Sequence, residues 1–255
     1  MNNAFDLKGR VAIVTGGNGG IGLGMARGLA QAGASVMIAG RNEQKNAEAQ
    51  KNLWELGAEA ASLVADVTQI EDCQRLIRST VDRFGRLDIL VNNAGMNIRK
   101  APQDYSLEEW RLIMDTNLTS AFLCSQAAYP ALKESGTGKV INIGSMTSIF
   151  GASFAMVYSA SKGGIVQMTR AFATAWAKDN IQVNAVLPGW IDTDLTKRSR
   201  VEVEGLNERV LSRTPAGRWG VPEDFGGIAV FLSSPASDFV TGTAIPVDGG
   251  FSVQV

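Results

Sequence analysis

Histidine is missing altogether from this chain, and its absence removes whole classes of chemistry at once. A Ser-His-Asp triad, a histidine general base and a His-Glu-x-x-His zinc site all need an imidazole. Cysteine is scarce. Cys73 and Cys124 lie too far apart for a C-x-x-C pair and are too few for a structural zinc site, so they read as reduced, buried small hydrophobes. An excess of one charge is absent too: 24 basic side chains stand against 25 acidic ones, a net of −1. No bulk field therefore recruits nucleic acid or an anionic membrane. No apolar run reaches the length of a membrane span, and Met1–Arg10 lacks the apolar core of a signal peptide, so the expectation is a soluble, cytoplasmic protein. Acid–base chemistry falls to Asp, Glu, Lys or Tyr.

With 45% hydrophobic and 19% charged residues among 255, the composition is that of a folded globular protein. Short apolar runs alternate with longer amphipathic stretches from end to end. Val11–Thr15, Val36–Ala39, Ala61–Ala65, Leu87–Val91, Lys139–Ile143, Ile181–Leu187 and Ala244–Val247 are strand-sized. They are apolar throughout, as strands covered on both faces are. Helical patterns separate them, among them Gly20–Ala32, Asn42–Leu56 and Ile70–Phe84. This alternation predicts an α/β fold: a Rossmann-like, doubly wound parallel sheet of about seven strands with helices on both faces. No repeat, low-complexity tract or Pro/Gly linker divides the chain, so residues 1–255 read as one domain. The polar excursion Gly189–Gly220 is long for a connection and is the expected lid.

Thr15-Gly-Gly-Asn-Gly-Gly-Ile-Gly22 joins the first strand to the first helix. Glycine there lets the backbone turn tightly and lets a phosphate approach main-chain N–H groups at the helix N-terminus. A plain βα turn would look similar, but its place within a βαβ unit favours a dinucleotide loop. No Gly-Lys-Ser/Thr follows, so it is not a P-loop. Gly16, Gly20 and Gly22 give the spacing T-G-x-x-x-G-x-G. Asp66-Val67 follows the third strand and Asn92-Asn-Ala-Gly95 the fourth, while Asn117 lies in the next helix and Ser145 ends the fifth strand. Tyr158-Ser-Ala-Ser-Lys162 opens a helix, and Pro188-Gly189 ends the sixth strand with Ile191 and Thr193 close behind. In this order, from about Lys8 to Gly250, the series resembles the short-chain dehydrogenase/reductase family.

The resemblance implies a dinucleotide-binding and catalytic domain with a nicotinamide cofactor across the carboxyl ends of its strands. The glycine loop, Asn18 and Ile21 included, would hold the pyrophosphate. Asp66 would contact adenine, although a helix cap is its plain alternative, and Val67 would line the adenine pocket. Asn93, Ala94 and Gly95 would pass the adenosine ribose, and Pro188, Gly189, Ile191 and Thr193 would border the nicotinamide. Asn117, Ser145, Tyr158 and Lys162 would form the catalytic group. Tyr158 and Lys162 are four apart, hence on one helix face, and an ammonium beside a phenol of pKa ~10 favours the phenolate. Tyr158 would protonate a carbonyl oxygen, Ser145 would hydrogen-bond it, Lys162 would also bind the nicotinamide ribose, and Asn117 would help a water relay protons. Ser159-Ala-Ser-Lys162 also matches the S-x-x-K nucleophile motif, but its SDN and KTG companions are absent. A catalytically silent dinucleotide-binding regulator is the other class to weigh; intact Ser145, Tyr158 and Lys162 argue against it.

The turn after the second strand reads Gly40-Arg41-Asn42-Glu43. An acid at its start would take the ribose 2′-OH of NAD, whereas Arg41 suits the 2′-phosphate of NADP. NADP(H) is expected; NAD stays open through Glu43, with Arg41 then a solvated turn residue. Pro215–Gly220 and Val247–Phe251 resemble the gluconate and ketodeoxygluconate dehydrogenase branch. Arg99 or Lys100 would then pair with a sugar-acid carboxylate, or both are solvated loop cations. The expected reaction is hydride transfer between NADP(H) and a secondary alcohol or ketone, a sugar acid such as gluconate. A 3-oxoacyl thioester reductase is the alternative, with Lys197, Arg198 and Arg200 available to an acyl carrier. The resemblance also implies a homotetramer, in which Leu112, Phe122, Val166 and Phe172 are either interface or core.

Overall fold

The computed structural model describes residues 4–194, 196–197, 200 and 203–254; Arg198 lies outside them. Seven strands form one parallel sheet: β1 (Val11–Thr15), β2 (Ser35–Gly40), β3 (Ala60–Val64), β4 (Ile89–Asn92), β5 (Lys139–Ile143), β6 (Gln182–Pro188) and β7 (Ala244–Val247). Their order is β3-β2-β1-β4-β5-β6-β7. Chain direction across the sheet reverses between β1 and β4, which opens a crevice at the carboxyl ends of those strands.

The helices are α1 (Gly20–Gln31), α2 (Glu43–Glu55), α3 (Ile70–Phe84), α4 (Leu107–Met114), α5 (Ser120–Glu134), α6 (Met156–Trp176), α7 (Leu206–Arg213) and α8 (Gly226–Ser233). Alternate strand residues explain the continuous apolar runs. Ala12, Val14, Val36 and Ile38 pack with Met25 and Leu29 of α1 and Leu53 of α2. Ile13, Met37 and Leu90 point the other way, into Leu76 of α3, Leu132 of α5 and Ala173 of α6. Both faces of the sheet are thus buried, and a polar residue on either would be stranded. On one face α1 and α8 touch almost backbone to backbone: a Cβ at Gly28 would fall 2.5 Å from the Gly226 Cα.

Strand positions agree with the sequence pattern to within two residues. β4 starts at Ile89 rather than Leu87, because the β1–β4 ladder begins at the Ala12–Ile89 pair. The excursion Gly189–Gly220 is less open than its polarity suggests. Its ends are clipped by a parallel bridge between Ile191 and Gly220, and α7 lies within it. Leu206, Val210 and Trp219 form a small core there with Trp190 and Val203. Of the four apolar residues left between interface and core, Val166 is buried beside Leu187, and Phe172 stacks on Trp176 at 4.2 Å. Leu112 and Phe122 are exposed. Among the described residues no helix is long and apolar enough to cross a membrane.

Candidate active site

A cleft of about 480 Å³ opens at the carboxyl ends of β1, β2 and β4. Gly16, Asn18, Gly20 and Ile21 line it. No side chain caps α1 and no acid stands in its first turn, so an anion would meet uncapped N–H groups at the positive end of the helix dipole. Gly22 lies behind the lining. A Cβ there would fall 2.4 Å from Asn93 Nδ2 and 2.5 Å from the Gly16 carbonyl oxygen, so only glycine allows the loop and the turn after β4 to close on each other. Asn93 Nδ2 donates to the carbonyls of Thr15 and Gly16, each at 3.0 Å. Thr15 Oγ1 in turn accepts from the N–H groups of Asn93 at 3.0 Å and Ala94 at 3.1 Å.

Asn18 Nδ2 donates to Asn46 Oδ1 at 2.7 Å, and Asn46 Nδ2 to the Gly40 carbonyl at 2.8 Å, which stitches the loop to α2. Arg41 lines this corner of the cleft and makes no ion pair among the described residues. Glu43, the first residue of α2, is outside the lining. Lys45, which sequence reasoning passed over, is in the lining and pairs with Asp194 at 3.7 Å. Asp66 and Val67 border the opposite side, with Ala94 and Gly95 along the floor. Asp66 Oδ1 accepts from Thr68 N at 3.0 Å and Thr68 Oγ1 at 2.8 Å, so part of its carboxylate serves the turn before α3. An uncapped helix end, a glycine-lined floor and unpaired Arg41 together suit a phosphorylated dinucleotide.

Three of the four catalytic candidates, Ser145, Tyr158 and Lys162, converge where this cleft meets a larger cavity of about 810 Å³, and Asn117 is in neither lining. Ser145, Tyr158, Pro188 and Gly189 line both; Lys162, Ile191 and Thr193 line the cleft. Burial pushes the Tyr158 phenol up, partly offset by its hydrogen bond with Ser145. The expected lowering by Lys162 is not what the geometry gives. Lys162 Nζ donates to the Ile143 carbonyl at 2.7 Å and lies 5.7 Å from the Tyr158 ring centroid. With no acid beside it among the described residues, burial takes the lysine down to about 8.

Asn117 sits in a π-helical turn, Asp115–Thr119, between α4 and α5. Such a turn interrupts the helical hydrogen-bond ladder. Its amide donates to the Met96 carbonyl at 2.9 Å and Ser161 Oγ at 3.0 Å, and its oxygen accepts from Met96 N at 2.7 Å. Both N–H donors are engaged, so water contact is left to its oxygen and main chain. Gly95 separates Asn117 from Lys162: a Cβ there would lie 3.4 Å from Asn117 Oδ1 and 3.4 Å from Lys162 Nζ.

The two substrate candidates part company. Arg99 lines the larger cavity, its Cζ 4.3 Å from the Phe154 ring centroid. Lys100 is outside the lining, its ammonium taken by Glu109 at 2.5 Å.

The family model described as enoyl-(acyl carrier protein) reductase matches residues 16–252. The 2-dehydro-3-deoxy-D-gluconate 5-dehydrogenase of Escherichia coli (strain K12) is 44% identical over 250 residues, 98% of each chain. The gluconate 5-dehydrogenase of Gluconobacter oxydans (strain 621H) is 38% identical over 251 residues, again 98% of each. This chain is a short-chain dehydrogenase/reductase. A gluconate 5-dehydrogenase from Burkholderia cenocepacia J2315, solved in complex with NADP and tartrate, superposes with a TM-score of 0.94 at 38% identity, covering 99% of this chain and 98% of that one.

As an oxidoreductase of this family, the chain shows which site residues no sequence signal announced. Lys45 follows an ordinary N-cap, Asn42, whose side chain accepts from the Lys45 N–H at 2.9 Å. Phe150, Phe251 and Arg213 come from segments far apart in sequence, yet they line one cavity in this short-chain dehydrogenase/reductase.

Proposed function

We propose that the chain transfers hydride between NADP(H) and the secondary alcohol or ketone of a sugar acid of the gluconate type. The supporting observation is the wall shared by the two cavities, where Ser145 and Tyr158 stand between the glycine-lined cleft and the larger cavity. The glycine loop would hold the pyrophosphate, Arg41 with Lys45 the 2′-phosphate, and Lys162 the nicotinamide ribose. When bound, the nicotinamide supplies or accepts the hydride. Tyr158 holds the proton that the substrate oxygen gains on reduction and gives up on oxidation. Ser145 hydrogen-bonds the same oxygen and steadies the phenol. Lys162, held by the Ile143 carbonyl, is oriented by that bond toward the ribose it would bind.

The sugar-acid part of the reading is supported by Arg99 in the larger cavity and by the gluconate-type names of the relatives. The exposed apolar Leu112 and Phe122 support association through α4 and α5, read here as a homotetramer, and a cytoplasmic location accords with two free thiols. Gly189–Gly220 would act as a lid, with the Ile191–Gly220 bridge as its hinge base.

The test is oxidation of D-gluconate and 2-dehydro-3-deoxy-D-gluconate with NADP⁺ and NAD⁺, followed by nicotinamide absorbance. Turnover favouring NADP⁺ is expected, and Arg41→Ala should weaken NADPH binding by about 10-fold or more while changing NADH little, the loss of a charge-assisted phosphate contact. Equal losses for both cofactors would remove Arg41 from 2′-phosphate recognition.

A further inference from the structure

We infer that Arg213 reads the substrate carboxylate and so sets which carbon of the sugar acid faces Tyr158. The inference rests on the sugar-acid reading above. Arg213 is the last residue of α7 and lines the larger cavity together with Ser145 and Tyr158. Its Cζ lies 4.4 Å from the Phe251 ring centroid and 5.9 Å from that of Phe150. A guanidinium stacked on a ring has its plane fixed while its edge N–H groups stay available to a planar, two-oxygen acceptor.

Two neighbouring cations of the excursion are neutralised. Arg218 forms two bonds with Asp224, at 2.7 and 2.9 Å, and Arg200 pairs with Asp192 at 3.5 Å. Arg213 makes no ion pair or hydrogen bond among the described residues. Among the described residues the one acid in the cavity lining, Asp194, faces Lys45 at 3.7 Å and Lys197 at 3.8 Å. Arg213 therefore brings a positive charge with no counter-ion among the described residues to a cavity edge lined by Phe150 and Phe251.

The chemistry of the substrate makes such an anchor informative. The hydroxyls of a polyhydroxy acid resemble one another, and its carboxylate is the distinctive handle. Anchoring that end fixes the register of the carbon chain against Tyr158, and an orientation error of one carbon presents the wrong hydroxyl.

The experiment compares wild type, Arg213→Gln and Arg213→Lys, with D-gluconate as substrate and D-glucitol, which lacks the carboxylate, as competitive inhibitor. Loss of a charge-assisted contact should raise KM for gluconate about 10- to 100-fold in Arg213→Gln, and loss of the register should lower kcat and spread oxidation over more than one carbon in the product. Arg213→Lys should recover part of the loss. The glucitol inhibition constant, NADPH affinity and Tm should stay close to wild type. An unchanged gluconate KM, or an equal weakening of glucitol, overturns the role of Arg213 while leaving the sugar-acid reading intact. A wild-type enzyme that reduces neutral ketones and turns over no sugar acid overturns both.

Discussion

Strand β5 has a buried lysine at each end, and the two are partnered in opposite ways. Lys139 is its first residue and is 0% exposed; Lys162 reaches the carbonyl of its last residue, Ile143, and is 3% exposed. At the blunt end, Lys139 Nζ donates to Asp238 at 2.7 Å and to Ser237 Oγ at 3.5 Å. Burial lowers its pKa, and Asp238 works against that. At the cleft end no carboxylate among the described residues answers Lys162, and burial acts alone. A buried charge with a counter-ion is a structural element, whereas one left with only a neutral carbonyl is held ready for a partner that arrives later.

Lys162→Met should break this comparison most sharply. Turnover should fall by about 10²- to 10⁴-fold, the range of a lost acid–base contributor. Stability at neutral pH should rise all the same, because the methionine needs no desolvation. The folded-state pKa of about 8 against the ordinary 10.5 bounds that gain at roughly 3 kcal/mol. Between these values the unfolded chain keeps a proton that the folded chain has released. The penalty is therefore full below pH about 8 and fades as pH rises towards 10.5. Urea titrations across that window should show wild type gaining on Lys162→Met as pH rises. A variant less stable than wild type at pH 7, or a pH-independent gap, would put Lys162 in the same structural class as Lys139.

The sequence pointed to the cleft end of β5 and was silent about the other. Ser145, Tyr158 and Lys162 fall in short local motifs at strand and helix starts, and the parallel topology brings every strand end to one edge. The glycine loop was legible for the same reason. Asp238 comes 99 positions after Lys139, and no periodicity links a strand-initial lysine to an acid in a distant turn. Arg213 was equally hidden: its significance comes from Phe150 and Phe251 beside it, and stacking partners leave no sequence spacing. Lys100 read as well as Arg99 in sequence, and only the reach of Glu109 separates them.

The blunt end supplies two smaller effects, and their ranking is the sharper test. In Asp238→Asn the ammonium of Lys139 remains buried without its counter-ion. Breaking a buried pair costs about 3–5 kcal/mol when both members are enclosed. The Asp238 side chain is 58% exposed, so water already screens the pair, and a loss of about 1–2 kcal/mol is expected. Turnover and NADPH affinity should not move. Lys139→Met removes the enclosed partner instead and returns the Asp238 carboxylate to water, so its loss should stay below about 1 kcal/mol. Denaturant midpoints for the two variants at one pH settle the order. If Lys139→Met proved the more damaging, the methylene packing of the lysine stem, rather than its charge, would hold this end of β5. The contrast with Lys162 would then be one of shape instead of compensation.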